Sequence, residues 1–150
     1  MHAIDQLEVT RRLFVKLGDG MGDEITRVPE GYSNHALWNL GHVAVTLRLL
    51  VYRLSGLEVG LDPQLVADFS KGSAPLKWER TYAWDDVRGL LLEQPAQVRA
   101  DLEGGRFTDF QRYETSAGVV LESVEQAIAF NSFHEGIHLG YVLAQRRRLG

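Results

Sequence analysis

The segment from His35 to Leu54 is the strongest constraint on how this chain can fold. Its sequence, HALWNLGHVAVTLRLLVYRL, has apolar residues on most sides of a helix and not along one stripe. A helix of that kind is buried on most sides, so the rest of the chain must cover it. The 150 residues are enough for one domain with a substantial core.

Three further segments show helical patterns, at 3–17, 84–102 and 123–148. Together with 35–54 they predict an all-α fold, a four-helix bundle that forms a single domain over residues 1–150. A long crossover, residues 58–83, separates the second helix from the third.

The apolar stripe of the first helix is expected to face the core. It consists of Ile4, Leu7, Leu13, Phe14 and Leu17.

Local signals mark where helices begin and end. Ser33 or Asn34 is expected to cap the second helix, and Gly56 to end it. In the crossover, Asp62 is expected to cap a short helix that has Pro63 in its first turn.

The third helix contains Pro95, so it either kinks there or divides into two shorter pieces. The segment 107–120 alternates loosely and contains Gly118, which predicts an extended, hairpin-like approach to the last helix.

Composition excludes several classes of function. With no cysteine, the chain has no disulfides, thiolate metal ligands or cysteine nucleophile. A net charge of -4 offers no general attraction to nucleic acid. No apolar run of 18 residues and no secretory signal is present, so we expect a cytoplasmic protein that does not enter membranes.

The motif HEGIH, residues 134–138, matches H-E-x-x-H, in which two histidines one helical turn apart bind zinc and the glutamate acts as general base. Metalloproteases with this motif take a third ligand from further along the chain. The sequence after His138 contains no His, Asp, Glu or Cys. A protease of the usual form is therefore excluded, and any further metal ligand must lie upstream.

His42 is the strongest upstream candidate because it lies in the middle of the apolar second helix, where an imidazole without a partner is costly. His35 lies beside the helix start, which can satisfy it, and His2 lies at the N-terminus. Each of the three histidines at 42, 134 and 138 taken alone would more often be a hydrogen-bonded core residue. Jointly they favour a divalent metal such as Zn or Ni.

Two stretches carry a family resemblance: NHALWNLGHV on the second helix and FHEGIHLGYVLAQRR on the last. Their order and spacing resemble the DinB-like (DinB/YfiT) superfamily of bacterial metal-binding four-helix bundles. The resemblance spans nearly the whole chain. It implies a metal held by one histidine of the second helix and two of the last, here His42, His134 and His138, with a position open to water or substrate.

The resemblance also implies candidate activities. Relatives include S-transferases and isomerases that use low-molecular-weight thiols, and a metal with an open position can also support hydrolysis. We therefore expect a metal-dependent transferase or hydrolase that acts on a small molecule. A homodimer is expected from the resemblance alone. The alternatives are a non-catalytic bundle that binds a metal or small ligand, and a purely structural bundle whose histidines hydrogen-bond one another.

Neighbours of the histidines have weaker assignments. Glu135 is a candidate catalytic base, although a solvated helix residue is the commoner role at such a position. Four residues are candidates for substrate binding: Trp38, Asn39, Thr46 and Asn131. Phe130 and Tyr141 could join Trp38 in a pocket wall, and Arg53 would suit an anionic substrate if it faces the cavity.

Overall fold

A computed structural model describes residues 2–150. The elements in chain order are α1 (Ala3–Asp19), α2 (Ala36–Leu47), α3 (Pro63–Phe69), α4 (Trp84–Glu103), β1 (Tyr113–Glu114), β2 (Val120–Leu121) and α5 (Val124–Leu149). The predicted all-α fold is confirmed: α1, α2, α4 and α5 form the bundle. The crossover that contains α3 joins α2 to α4.

The four long helices do not follow one another around the bundle in chain order. α1 packs mainly against α4 and α5, and α2 packs mainly against the same two helices. The order around the bundle is therefore α1, α4, α2, α5, which places α1 and α2 on a diagonal. This arrangement brings α2 and α5, which carry the three histidines of interest, into direct contact.

The second helix continues beyond Leu47 as a wider π-helical segment, Arg48–Arg53. There the N–H of Leu54 donates to the carbonyl of Leu49 at 3.3 Å. The helical stretch thus reaches nearly to the predicted end. Gly56 follows with a φ of 73°, a conformation that glycine adopts without strain.

The predicted cap of α2 at Ser33 or Asn34 is wrong, because His35 caps the helix. Its Nδ1 accepts a hydrogen bond from the N–H of Trp38 at 3.0 Å, and the ring packs edge-on against Trp78. Asn34 turns instead towards the helix interface, where its Oδ1 accepts a hydrogen bond from Gln145.

Other predicted helix starts are confirmed. The Asp62 carboxylate accepts from the N–H of Gln64 at 2.8 Å, with Pro63 at the first helical position of α3. Ser123 caps α5 by accepting from the N–H of Gln126 at 3.2 Å.

Of the two alternatives for the third helix, division into two pieces is wrong, because α4 runs without a break through Pro95. Tertiary contacts hold this part of α4. Pro95 and its neighbour Gln94 are buried, and the Gln94 side chain donates to the carbonyl of Ala44 in α2 at 3.0 Å.

The core face of α1 differs from the predicted stripe. Leu13 is 44% exposed, whereas Arg11 is buried. Leu7, Arg11 and Phe14 share one face of α1. The buried position one turn after Leu7 is therefore occupied by the charged Arg11, whereas Leu13 points outwards. Polar partners on α4 and α5 accept the guanidinium donors of Arg11 and make its burial possible.

The predicted hairpin-like segment is confirmed. β1 pairs with β2 antiparallel, with Tyr113 opposite Leu121 and Glu114 opposite Val120. The N–H of Thr115 also bonds to the carbonyl of Val119 at 2.8 Å, closing a tight connection through Gly118.

One side of α5 is uncovered, with Phe133 55% and Ile137 51% exposed.

No helix within residues 2–150 combines the length and apolar character required to cross a bilayer. The homodimer implied by the resemblance stays a prediction.

α3 is held tightly against α2 at Gly41. A Cβ placed on Gly41 would lie 2.3 Å from the ring of Phe69, which is fully buried. Only glycine leaves room for the Phe69 ring in this position.

We expect Gly41→Ala to lower the free energy of unfolding by about 1–3 kcal/mol, because the added methyl group must displace the Phe69 ring. Gly140→Ala is the matched control. A Cβ there meets nothing within 4 Å, so this variant should gain about 0.5–1 kcal/mol from helix propensity. Urea unfolding of both variants measures the difference, and equal stability would contradict the close packing.

Protonation of His35 should destabilise the fold. Burial lowers its pKa from 6.5 to about 4. The unfolded chain therefore binds the proton first as pH falls, and the stability that His35 contributes is complete above about pH 6.5 and lost by about pH 4. The loss should be about 1–3 kcal/mol. His35→Asn, which keeps a cap acceptor, should flatten this part of the stability profile; an unchanged slope would contradict the assignment.

Candidate metal centre

Three imidazoles meet where α2 contacts α5. His42, His134 and His138 each offer a ligand nitrogen, and these atoms all lie within 4.8 Å of one another. The Nε2 atoms of His42 and His134 are 3.2 Å apart. Two nitrogens bound to one tetrahedral zinc are about 3.3–3.4 Å apart, so this pair already has the required separation.

His42 is oriented by the crossover. Its Nδ1 lies 2.7 Å from the carbonyl oxygen of Phe69. A carbonyl only accepts, so Nδ1 carries the proton and donates, which leaves a lone pair on Nε2. The ring also stacks on the indole of Trp38, with centroids 4.7 Å apart and planes within 8°. The ligand nitrogen of His42 therefore faces the other two histidines in a fixed orientation.

His138 is oriented by a chain of amides. Its Nδ1 lies 2.8 Å from Oδ1 of Asn39, and the Asn39 amide nitrogen donates to Oδ1 of Asn34 at 2.9 Å and to Oε1 of Gln145 at 3.2 Å. Since Oδ1 of Asn39 can only accept, His138 donates from Nδ1 and keeps a free lone pair on Nε2. Partners of this kind are typical of metal-ligating histidines.

His134 is held less completely. Its Nδ1 is buried without a hydrogen-bond partner among residues 2–150. A buried imidazole with one unsatisfied nitrogen is costly. Because Nε2 of His134 faces His42, Nδ1 is unsatisfied whether Nε2 binds a metal or hydrogen-bonds His42, so this cost does not distinguish the two interpretations.

All three imidazoles are neutral near pH 7. Burial, followed by the charges of His134 and His42, lowers the pKa of His138 to about 3. Burial, followed by His42 and Arg11, lowers the pKa of His134 to about 4, and burial also lowers the pKa of His42. Neutral imidazole is the form that binds metals. The donor set thus fits a divalent metal ion.

A cavity of about 260 Å³ opens beside the triad. His42 and His134 form part of its wall, and Thr46, whose hydroxyl is 3.4 Å from Nε2 of His42, lines it next to them. Leucines of the α2 stretch and Phe130 of α5 make most of the rest apolar. Small-molecule sites are concave and mostly apolar with a few polar groups, so the cavity has the character of one.

A family model described as the DinB superfamily matches residues 6–142. The chain belongs to the DinB superfamily. A comparison with the curated proteins finds no match. The match covers most of α1, all of α2 and α4 and most of α5, including the three histidines, so the predicted resemblance is confirmed.

In this DinB superfamily protein, Glu135 lies in the bundle core and not beside the histidines. It is fully buried, forms an ion pair with Nε of Arg11, and accepts from the amide of Asn131 at 2.7 Å. The interpretation of Glu135 as a solvated residue is therefore wrong. Its catalytic role stays a prediction, and its two oxygens are engaged away from the triad.

The remaining predicted site residues are divided between the cavity and its supports. Thr46 lines the cavity, and so do Phe130 and Arg53. Trp38 stacks on the ring of His42, and Asn39 hydrogen-bonds Nδ1 of His138. Their roles in substrate binding stay predictions, as does that of Asn131, which lies in the core beside Glu135.

The remaining side chains that line the cavity have no local sequence pattern that would predict them. Lys71 and Ser70 reach the cavity from the crossover, and Tyr113, Thr115 and Ser116 reach it from the hairpin. Arg11 could have been found, since it follows Leu7 and precedes Phe14 at helical spacing on a buried face. The hairpin residues carried no comparable signal.

Breaking the ion pair of Arg11 and Glu135 should strongly destabilise the fold. Glu135→Leu leaves the Arg11 guanidinium buried with no carboxylate partner, so we expect the free energy of unfolding to fall by about 3–5 kcal/mol. In Arg11→Met/Glu135→Leu no charge remains, and at least half of the loss should be recovered. Chemical denaturation of the two variants provides the comparison; a double variant no more stable than the single one would contradict this account.

Proposed function

We propose that this DinB superfamily protein binds a divalent metal ion, zinc or nickel, through His42, His134 and His138, and uses it for a reaction on a small molecule. Transfer to or from a low-molecular-weight thiol is the first candidate reaction, and hydrolysis the second. The convergence of three neutral imidazoles within 4.8 Å, at the wall of a cavity, is the observation that carries the proposal.

Such an ion, when bound, lowers the pKa of a coordinated thiol or water and so supplies a nucleophile at neutral pH. The protein supplies the rest of the site. Phe69 and Asn39 fix the tautomers of His42 and His138. Thr46 is placed to hydrogen-bond a group that approaches Nε2 of His42.

Three protein ligands leave at least one coordination position for substrate, which is typical of catalytic zinc sites and not of closed structural ones. The cavity beside His42 and His134 gives that position a route to solvent. This combination favours catalysis over the alternative function, a non-catalytic bundle that stores or senses a metal or small ligand.

Metal content should depend on both helices. We expect about one zinc or nickel per chain in wild-type protein, and less than about one tenth of that in His42→Ala and in His138→Ala, because each loses one of three ligands. Asn39→Ala should keep the ligands but weaken affinity about 10–100-fold through the loss of the His138 partner. Elemental mass spectrometry and competition with a chelator measure these quantities.

His35→Ala serves as the control, since it removes a buried imidazole on the same helix that lies outside the group of three. It should retain full metal content. Wild-type protein that takes up neither zinc nor nickel would overturn the proposal. Full metal content without an exchangeable water would favour the non-catalytic alternative.

A further inference from the structure

The cavity beside the three histidines has an unbalanced charge. Two basic side chains, Arg53 and Lys71, line it, and no carboxylate lines it within residues 2–150. This contrasts with the whole chain, which carries a net charge of -4. The local field in the cavity therefore favours an anion although the protein as a whole repels one.

Neither cation is used by the fold. Within the described residues, Arg53 and Lys71 form no ion pair and no side-chain hydrogen bond. Eight arginines do have carboxylate partners: Arg11, Arg27, Arg80, Arg88, Arg99, Arg106, Arg112 and Arg148. The donors of Arg53 and Lys71 are thus free to bind a ligand.

The two cations come from different segments of the chain, and each segment is connected to an element that positions His42. Arg53 ends the π-helical segment that continues the helix of His42. Lys71 follows Phe69 by two residues, and the Phe69 carbonyl holds His42 at 2.7 Å. Lys71 lies near enough to His42 to contribute to the lowering of its pKa.

The side chains that line the cavity range from buried at the histidines to exposed at the rim. His42 is 6% exposed and His134 is half-buried, whereas Arg53 and Lys71 are exposed. The leucines Leu49, Leu50 and Leu54, with Phe130, supply an apolar wall. A ligand that matches this order has a reactive end at the histidines, a short apolar body and a negative group at the rim.

We propose that the substrate of this site is a small organic anion, whose carboxylate is bound by Arg53 and Lys71 while its other end reaches the histidines. This inference rests on the proposed function and adds to it the class of substrate. The guanidinium of Arg53 matches a carboxylate in two parallel hydrogen bonds, and the ammonium of Lys71 adds a second charge. The volume of about 260 Å³ is at the small end of ligand sites and limits the ligand to a short chain.

The test compares hexanoate with hexanamide, which has the same length but no charge, by NMR titration of zinc-loaded and of metal-free protein. Hexanoate should bind about tenfold more tightly than hexanamide to both forms, because the charged group gains charge-assisted hydrogen bonds. Arg53→Gln/Lys71→Gln should reduce the preference to less than about twofold. Both side chains are exposed and make no hydrogen bond, so this variant should fold and keep its metal content.

Arg12→Gln/Lys16→Gln is the matched control, since it removes two exposed charges of α1 that do not line this cavity. It should keep the full preference for hexanoate. Equal binding of the two probes, or a preference that survives in Arg53→Gln/Lys71→Gln, would overturn the inference. A preference seen only with zinc and insensitive to both variants would mean that the carboxylate binds the ion itself, which also overturns it.

The metal-free titration separates this inference from the proposed function. If the protein takes up no metal, the proposed function fails, yet a preference that depends on Arg53 and Lys71 would still support an anion site. If metal binds and the preference is absent, the proposed function stands and the anionic substrate is excluded.

Discussion

The fold depends on how polar side chains are paired inside the contact between α2 and α5. Two apolar helices can pack in many registers, but buried imidazoles, amides and charges are stable only where their partners lie within hydrogen-bond distance. Asn39 reaches both His138 and Gln145 of α5. Such pairs fix the register of α2 against α5 more narrowly than leucine packing would, and the convergence of the three histidines is a consequence of that register.

Two consecutive residues of α5 point to different parts of the molecule. His134 points to the cavity, whereas Glu135 points into the bundle core, where Arg11 of α1 binds it. Arg11 also donates to Gln94 of α4 at 2.8 Å and to the Val43 carbonyl of α2 at 3.3 Å, so one buried guanidinium joins all four helices of the bundle. The glutamate of the H-E-x-x-H motif thus belongs to a core ion pair, whereas its two histidines belong to the three-histidine group.

The helices could be predicted from the sequence because each lies in a segment that is apolar at helical spacing or apolar on most sides, bounded by turn residues. The three histidines could also be predicted, since imidazoles in apolar helices need a partner of some kind. The failures have a common cause. The predictions for Leu13 and for a solvated Glu135 are wrong because helical spacing does not say which face meets the core. Of the two alternatives at Pro95, division of the helix is wrong because packing around Gln94 overrides a local helix breaker. The cavity residues Lys71 and Thr115 lie in irregular segments whose positions depend on contacts far along the chain.

The diagonal placement of α1 and α2 also determines the order in which the molecule can assemble. Consecutive helices in this bundle do not form a hairpin that buries both, so α1 and α2 have no adequate partner until α4 and α5 have been synthesised. Arg11 meets its carboxylate 124 positions later in the chain. Contacts so distant in sequence slow folding and leave apolar surface exposed during synthesis. The nascent chain therefore carries α2, its most apolar helix, only partly covered until both α4 and α5 are available to pack against it.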